Sequence, residues 1–190
     1  MPLACELVRP DFLVTLHFSD PMNQIEVSTP SIPSVDLPQS LRFAFVEAAW
    51  HAEIVQQARD AFFVAMAEGG FDAESIDVFD VPGAFEIPLH AQRLAQSGRY
   101  AAVVGSALVV DGGIYRHDFV SQTVVQALMD VQLATGVPMI SAVLTPHHFH
   151  EHAEHRKYFM RHFAVKGTEA AEACLKTVAS LRRLDALMSA

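Results

Sequence analysis

The sequence predicts an α/β protein, a three-layer α/β/α sandwich around a four-stranded parallel sheet. Two observations carry that expectation. Four short apolar runs alternate with stretches whose apolar residues recur at helical spacing, and such alternation builds parallel βαβ units. The third run, "AAVVGSALVV" at 101–110, is apolar almost throughout, as a strand covered on both faces must be. At 190 residues the chain suits one domain with a sizeable core.

The elements follow in order from Leu41. "LRFAFVEA" reads as the first strand. A helix is expected from about His51 to Glu68, because Ile54, Val55, Ala58, Ala61, Phe62, Ala65 and Met66 share one face. Gly69 and Gly70 end it. "SIDVFDV" is the second strand and "AFEIPLHAQRLAQSG" the second helix, where Pro88 is tolerable only near the first turn. After the third strand, Asp111-Gly112-Gly113 breaks the chain before a helix from about Asp118 to Ala134. "VPMISAVLT" is the fourth strand, and two helices, roughly 147–162 and 167–188, complete the fold.

Residues 1–40 read as an extended N-terminal arm and 41–190 as the domain. Six of the ten prolines fall at positions 2, 10, 21, 30, 33 and 38, and each bars helix and weakens strand pairing. Met22 is a second candidate start. Arg9, Pro10 and Asp11 interrupt what a signal peptide would need to be apolar. No apolar run reaches the 18 or so residues that span a bilayer, although 51% of the chain is hydrophobic. The net charge of −9 speaks against a nucleic-acid partner. Cys5 and Cys174 lie at opposite ends of the chain, so no disulfide is expected and reduced thiols fit a cytoplasmic protein.

Ligands of open α/β sheets bind outside the carboxyl ends of the strands, and the unusual residues all fall there. Trp50 and His51 follow the first strand, Pro82-Gly83-Ala84-Phe85-Glu86 the second, "VVDGGIYRHDF" the third and "TPHHFHEHAEHR" the fourth. Each has a plainer use: a tryptophan packs, a glutamate complements a helix dipole, a Gly-Gly pair turns the chain. Together they suggest an aromatic platform for a planar ring, with a Gly-Gly turn whose free N–H groups seat a phosphate. His148, His152 and His155 share a helix face at a spacing that suits a metal. No cysteine or inward carboxylate completes a familiar ligand set, so neither a metal nor a cofactor is expected.

These residues resemble the lumazine synthase family from about Leu41 to Leu187. The most specific match is "VPGAFEIP", Val81 to Pro88; "GRYAAVVG", "GVPMISAVLT" and "KGTEAAEA" add to it. "GGIYRHDFV" with "LTPHHFHE" is similar to the second type of the family, which some bacteria carry beside an ordinary copy. The resemblance implies a flavodoxin-like fold. It also implies condensation of 5-amino-6-(D-ribitylamino)uracil with 3,4-dihydroxy-2-butanone 4-phosphate to 6,7-dimethyl-8-ribityllumazine, releasing phosphate and water.

Roles follow by the same resemblance. Ala84, Phe85 and Glu86 inherit the turn that holds the ribityl chain and pyrimidine. Trp50 stands where the family usually stacks a phenylalanine, and Leu108, Val109 and Val110 line the ring. Gly113 and Ile114 match the phosphate turn, with Ile114 in place of the usual threonine, and Lys166 matches a lysine of the site. Three positions depart from the pattern. Arg116 occupies the place of the proton-shuttling histidine, with His117 next to it; an arginine stays protonated and cannot act as a base. Ser141 replaces the aromatic that a neighbouring subunit contributes. His155 and Arg156 are both candidates for the phosphate-binding arginine. A slow enzyme is expected, with a non-catalytic lumazine- or flavin-binding protein as the alternative. The resemblance further implies a pentamer or a dimer of pentamers, with the His-rich helix at the contact between pentamers.

Overall fold

A computed structural model describes residues 36–111, 116–147, 149 and 152–190. Four strands, β1 (Phe43–Ala48), β2 (Ile76–Val81), β3 (Ala102–Leu108) and β4 (Met139–Leu144), pair in the order β2-β1-β3-β4. All three pairings are parallel, with Phe43 opposite both Ile76 and Ala102, and Val103 opposite Met139. Between them run α1 (Ala52–Glu68), α2 (Ile87–Gln96) and α3 (His117–Thr135), and α4 (Ala153–Met188) ends the chain.

Strand side chains alternate between faces, and this alternation sorts the core into two layers. Ala44, Val46 and Ala48 of β1 are buried with Ile87 and Ala91 of α2 and with Val124 and Leu128 of α3. Phe43 and Phe45 face the other way, against Phe62 and Met66 of α1 and Ala171 and Leu175 of α4. The helices therefore cover both faces, and the fold is the three-layer sandwich that the apolar runs predict. Leu37, at the end of the expected arm, is buried in the second of these layers.

The strands and first three helices match the sequence reading to within a few residues. Gly69 ends α1, and Gly70 takes φ 94° just beyond it. The expected second helix begins as a 3₁₀ turn over Ala84–Glu86, so Pro88 falls in the first turn of α2. The C-terminal region differs more. In place of two helices, 147–162 and 167–188, one helix runs unbroken from Ala153 to Met188, and His147 and Phe149 precede it. Gly167 looks like a helix breaker but is a packing residue. A Cβ there would lie 2.1 Å from the carbonyl oxygen of Ala58, so glycine lets α4 cross the backbone of α1.

Candidate active site

The site begins with the junction of β2 and α2. Gly83 is extended, and a Cβ on it would come within 3.0 Å of the Trp50 ring. Glycine here lets the indole from the β1–α1 junction lie against the turn. Glu86 closes the same turn, one carboxylate oxygen accepting the N–H of Gly83 at 3.0 Å. A glutamate in the first turn thus satisfies a backbone donor the helix start leaves open.

A cavity of about 550 Å³ opens above this junction, within the range of small-molecule sites. Trp50, Ala84, Phe85, Leu108, Val109 and Val110 line it, so six of the residues expected at the site meet in one place. Ala48, His51, Asp111, Val120 and Phe149 line it as well. Trp50 and Phe85 are 60% and 63% exposed, which leaves large aromatic faces open towards the cavity. Among the described residues the lining is mostly apolar, with His51 and Asp111 its titratable groups.

His51 has an unusual backbone. Its φ and ψ of 57° and 38° lie in the left-handed region, and no other non-glycine described residue has positive φ. Such conformations cost on the order of 1–3 kcal/mol and cluster at functional sites. The carbonyl of His51 accepts the N–H groups of Ile54 and Val55, starting α1. Its ring meets Phe149 edge-on at 5.2 Å, and Phe149 packs on Phe159 of α4 at 5.5 Å.

The two residues at the expected proton-transfer position are engaged elsewhere. Arg116 binds Asp118 at 2.7 Å with its side chain 80% exposed, and this hydrogen bond raises its pKa above the ordinary arginine value. His117 Nδ1 lies 2.9 Å from Asp111, whose same oxygen accepts the His117 backbone N–H. Those two hydrogen bonds hold the Asp111 carboxyl below its usual range. Neither Arg116 nor His117 lines the cavity, though Asp111 links His117 to it.

Other expected residues stand apart. Ser141 is on β4 opposite Gly105, its hydroxyl accepting the Val143 N–H at 3.4 Å. Lys166 binds Glu169 at 2.6 Å. On α4 His155 meets the edge of Phe159, and Arg156 is paired with Glu53 of α1. Gly113, Ile114 and His148 lie outside the described residues. No helix among the described residues is long and apolar enough to cross a membrane. The sequence reading noted His51 only as the neighbour of Trp50 and did not count Asp111 or Phe149 as site residues. Their place beside the other strand ends was the available signal.

Sheet order, cavity and aromatic platform define a small-molecule site at the carboxyl edge of a doubly wound α/β protein. The family model for 6,7-dimethyl-8-ribityllumazine synthase matches residues 40–182, and the chain belongs to that family. It is 60% identical over 152 residues to 6,7-dimethyl-8-ribityllumazine synthase 2 of Pseudomonas syringae pv. tomato, covering 78% of this chain and 89% of the relative. The 6,7-dimethyl-8-ribityllumazine synthase of Rhodococcus erythropolis is also 60% identical, over 77% of this chain and 94% of its own. A second synthase of the "2" type, from Bradyrhizobium diazoefficiens, is 54% identical over 85% of this chain and 96% of its own.

Proposed function

We propose that this protein condenses 5-amino-6-(D-ribitylamino)uracil with 3,4-dihydroxy-2-butanone 4-phosphate to 6,7-dimethyl-8-ribityllumazine, a transferase step of riboflavin biosynthesis. The observation that carries the reading is the Val81–Pro88 turn. Its glycine seats the Trp50 indole at the mouth of an apolar cavity, and its sequence is the family's own. An indole face offers a pyrimidine roughly 1–3 kcal/mol of stacking.

Orientation supplies much of the chemistry. The amine must add to the ketone and lose water, phosphate must leave, and the ribitylamino nitrogen must close the ring onto the neighbouring carbonyl with loss of a second water. Holding two reactants in register is worth roughly 7–11 kcal/mol, so such a site is active even before proton transfer is counted. Ala84, Phe85 and Glu86 take the ribityl chain and ring, while Leu108, Val109 and Val110 wall it. The phosphate falls to the backbone of Gly113 and Ile114, with His155 or Arg156 as its cation. A guanidinium suits a phosphate geometrically, and that favours Arg156. In this reading Arg116 stabilises the leaving phosphate, and His117 is its neighbour in sequence.

We further propose that the protein works as a pentamer or a pair of pentamers, whose sites lie between neighbouring subunits. The roles of Ser141 and Lys166 depend on that sharing. In support, α3 leaves Phe119, Val125, Met129 and Leu133 exposed, an apolar stripe more suited to a subunit contact than to water.

The test mixes the purified protein with both substrates and follows lumazine absorbance and phosphate release. The expected result is production of both above the spontaneous background, lost in Glu86→Ala. Tight lumazine binding with no rate above background would make the protein a binder instead of a synthase.

A further inference from the structure

We infer that His51 is the residue that exchanges protons with the substrates in this cavity. The inference rests on the synthase reading above. The condensation needs a group that can both give and take a proton near neutral pH, and imidazole is the side chain whose ordinary titration lies there. Arg116 stays protonated and is bound to Asp118 on the exposed side of the α3 start. His117 is held by Asp111 through both its backbone N–H and its ring. His51 is the one imidazole among the described residues lining the cavity, beside Trp50 and Phe85.

The local backbone fixes that placement. A left-handed histidine between a strand and a helix is retained against its conformational cost, and its ring is braced by Phe149, itself braced by Phe159. Both features hold an imidazole at the cavity wall, where the stacked ring and the ketone would meet. Among the described residues, the charged and titratable groups near it come from four elements. Asp111 at the end of β3 shares the cavity and carries His117 of α3. Glu53 of α1 is paired with Arg156 of α4, and His155 of α4 rests on Phe159.

The experiment compares wild type, His51→Asn, His51→Gly and His117→Asn in the coupled lumazine and phosphate assay from pH 5 to 8. Asparagine and glycine both accept left-handed backbone, so the fold survives and the titratable ring is removed. The expected result for His51→Asn is a kcat lower by about 10²-fold, at the lower end of what a positioned acid–base group supplies. Its kcat should no longer vary with pH across that range, while lumazine affinity stays at the wild-type value. Imidazole added to His51→Gly should restore part of the rate. A wild-type kcat and pH profile in His51→Asn, or a profile that disappears only in His117→Asn, overturns this inference alone. A wild-type protein no faster than background overturns the synthase reading and this inference with it.

Discussion

The two ends of the sheet are built on opposite terms. At the carboxyl end, aromatic rings stay open to solvent, a glycine makes room for an indole, and a histidine is held in a costly conformation. At the amino end, charges are tied together. Arg42, just before β1, donates to Asp77 of β2 at 2.6 Å and to the Glu74 carbonyl at 3.0 Å. Tyr100, just before β3, donates its hydroxyl to the other Asp77 oxygen at 2.7 Å. One carboxylate thus fastens the starts of three strands. The amino end holds the sheet, and the carboxyl end keeps surface free for ligand.

Removing the indole should have the largest effect on ligand binding. Trp50→Ala should weaken binding of the pyrimidine substrate or of lumazine by about 1–3 kcal/mol, roughly 5- to 150-fold. Stability should move by less than about 0.5 kcal/mol, because an exposed ring buries little on folding. Fluorescence titration and denaturant melts measure the two effects. An equal loss in both would make Trp50 a packing residue and erase the contrast.

The amino end should respond the other way. Asp77→Asn is expected to cost about 1 kcal/mol of stability near neutral pH, less than a buried charged hydrogen bond because water reaches the pair, with kcat/KM unchanged. The pH dependence has a definite sign. The Arg42 hydrogen bond and then the Tyr100 hydroxyl hold the Asp77 carboxyl below its usual value. Its contribution is therefore present above the ordinary aspartate range and lost as pH falls through the lowered value. The gap between wild type and variant should begin to narrow below about pH 4 and keep narrowing as pH falls further. A gap as wide at pH 3 as at pH 7 in melting scans would assign the effect to packing.

Much of the scaffold was legible because strand burial writes itself as continuous apolar runs. Val103, Val104, Ala107 and Leu108 of β3 are all buried, and the four runs became four strands. The unbroken α4 was not legible, because a glycine that ends a helix and a glycine that admits a neighbouring backbone look alike in sequence. Only the approach of Ala58 to Gly167 separates them. At the site, Trp50 and the Val81–Pro88 turn were legible from their residue types. The left-handed backbone of His51 and the capture of Arg116 by Asp118 were not, since partners and backbone strain are set by tertiary context. The Arg42–Asp77–Tyr100 tie was likewise invisible, its members being separated by 35 and 23 residues.

Glu47 is a charge near the carboxyl end of β1 that lacks a full set of partners among the described residues. It is 2% exposed on β1. One carboxylate oxygen accepts from Arg59 of α1 at 2.8 Å; among the described residues the other has no hydrogen-bond partner, and neither does the buried Ser106 hydroxyl. The two residues stand opposite each other across β1 and β3. Burial pushes the Glu47 pKa up, with the nearby Asp80 adding to it, while Arg59 opposes the shift. A carboxyl raised in the folded state stabilises most below its ordinary range, and that contribution is lost as pH rises through the raised value. Glu47→Gln mimics the protonated form, keeps an oxygen for Arg59 and offers an N–H for Ser106. Arg59 also retains Asp60, bound at 2.9 Å. The variant should match wild type near pH 4 and exceed it by less than about 1 kcal/mol at pH 8. If melting at pH 8 shows the variant less stable than wild type, the Arg59 ion pair outweighs burial, and Glu47 belongs with the charges that hold the sheet.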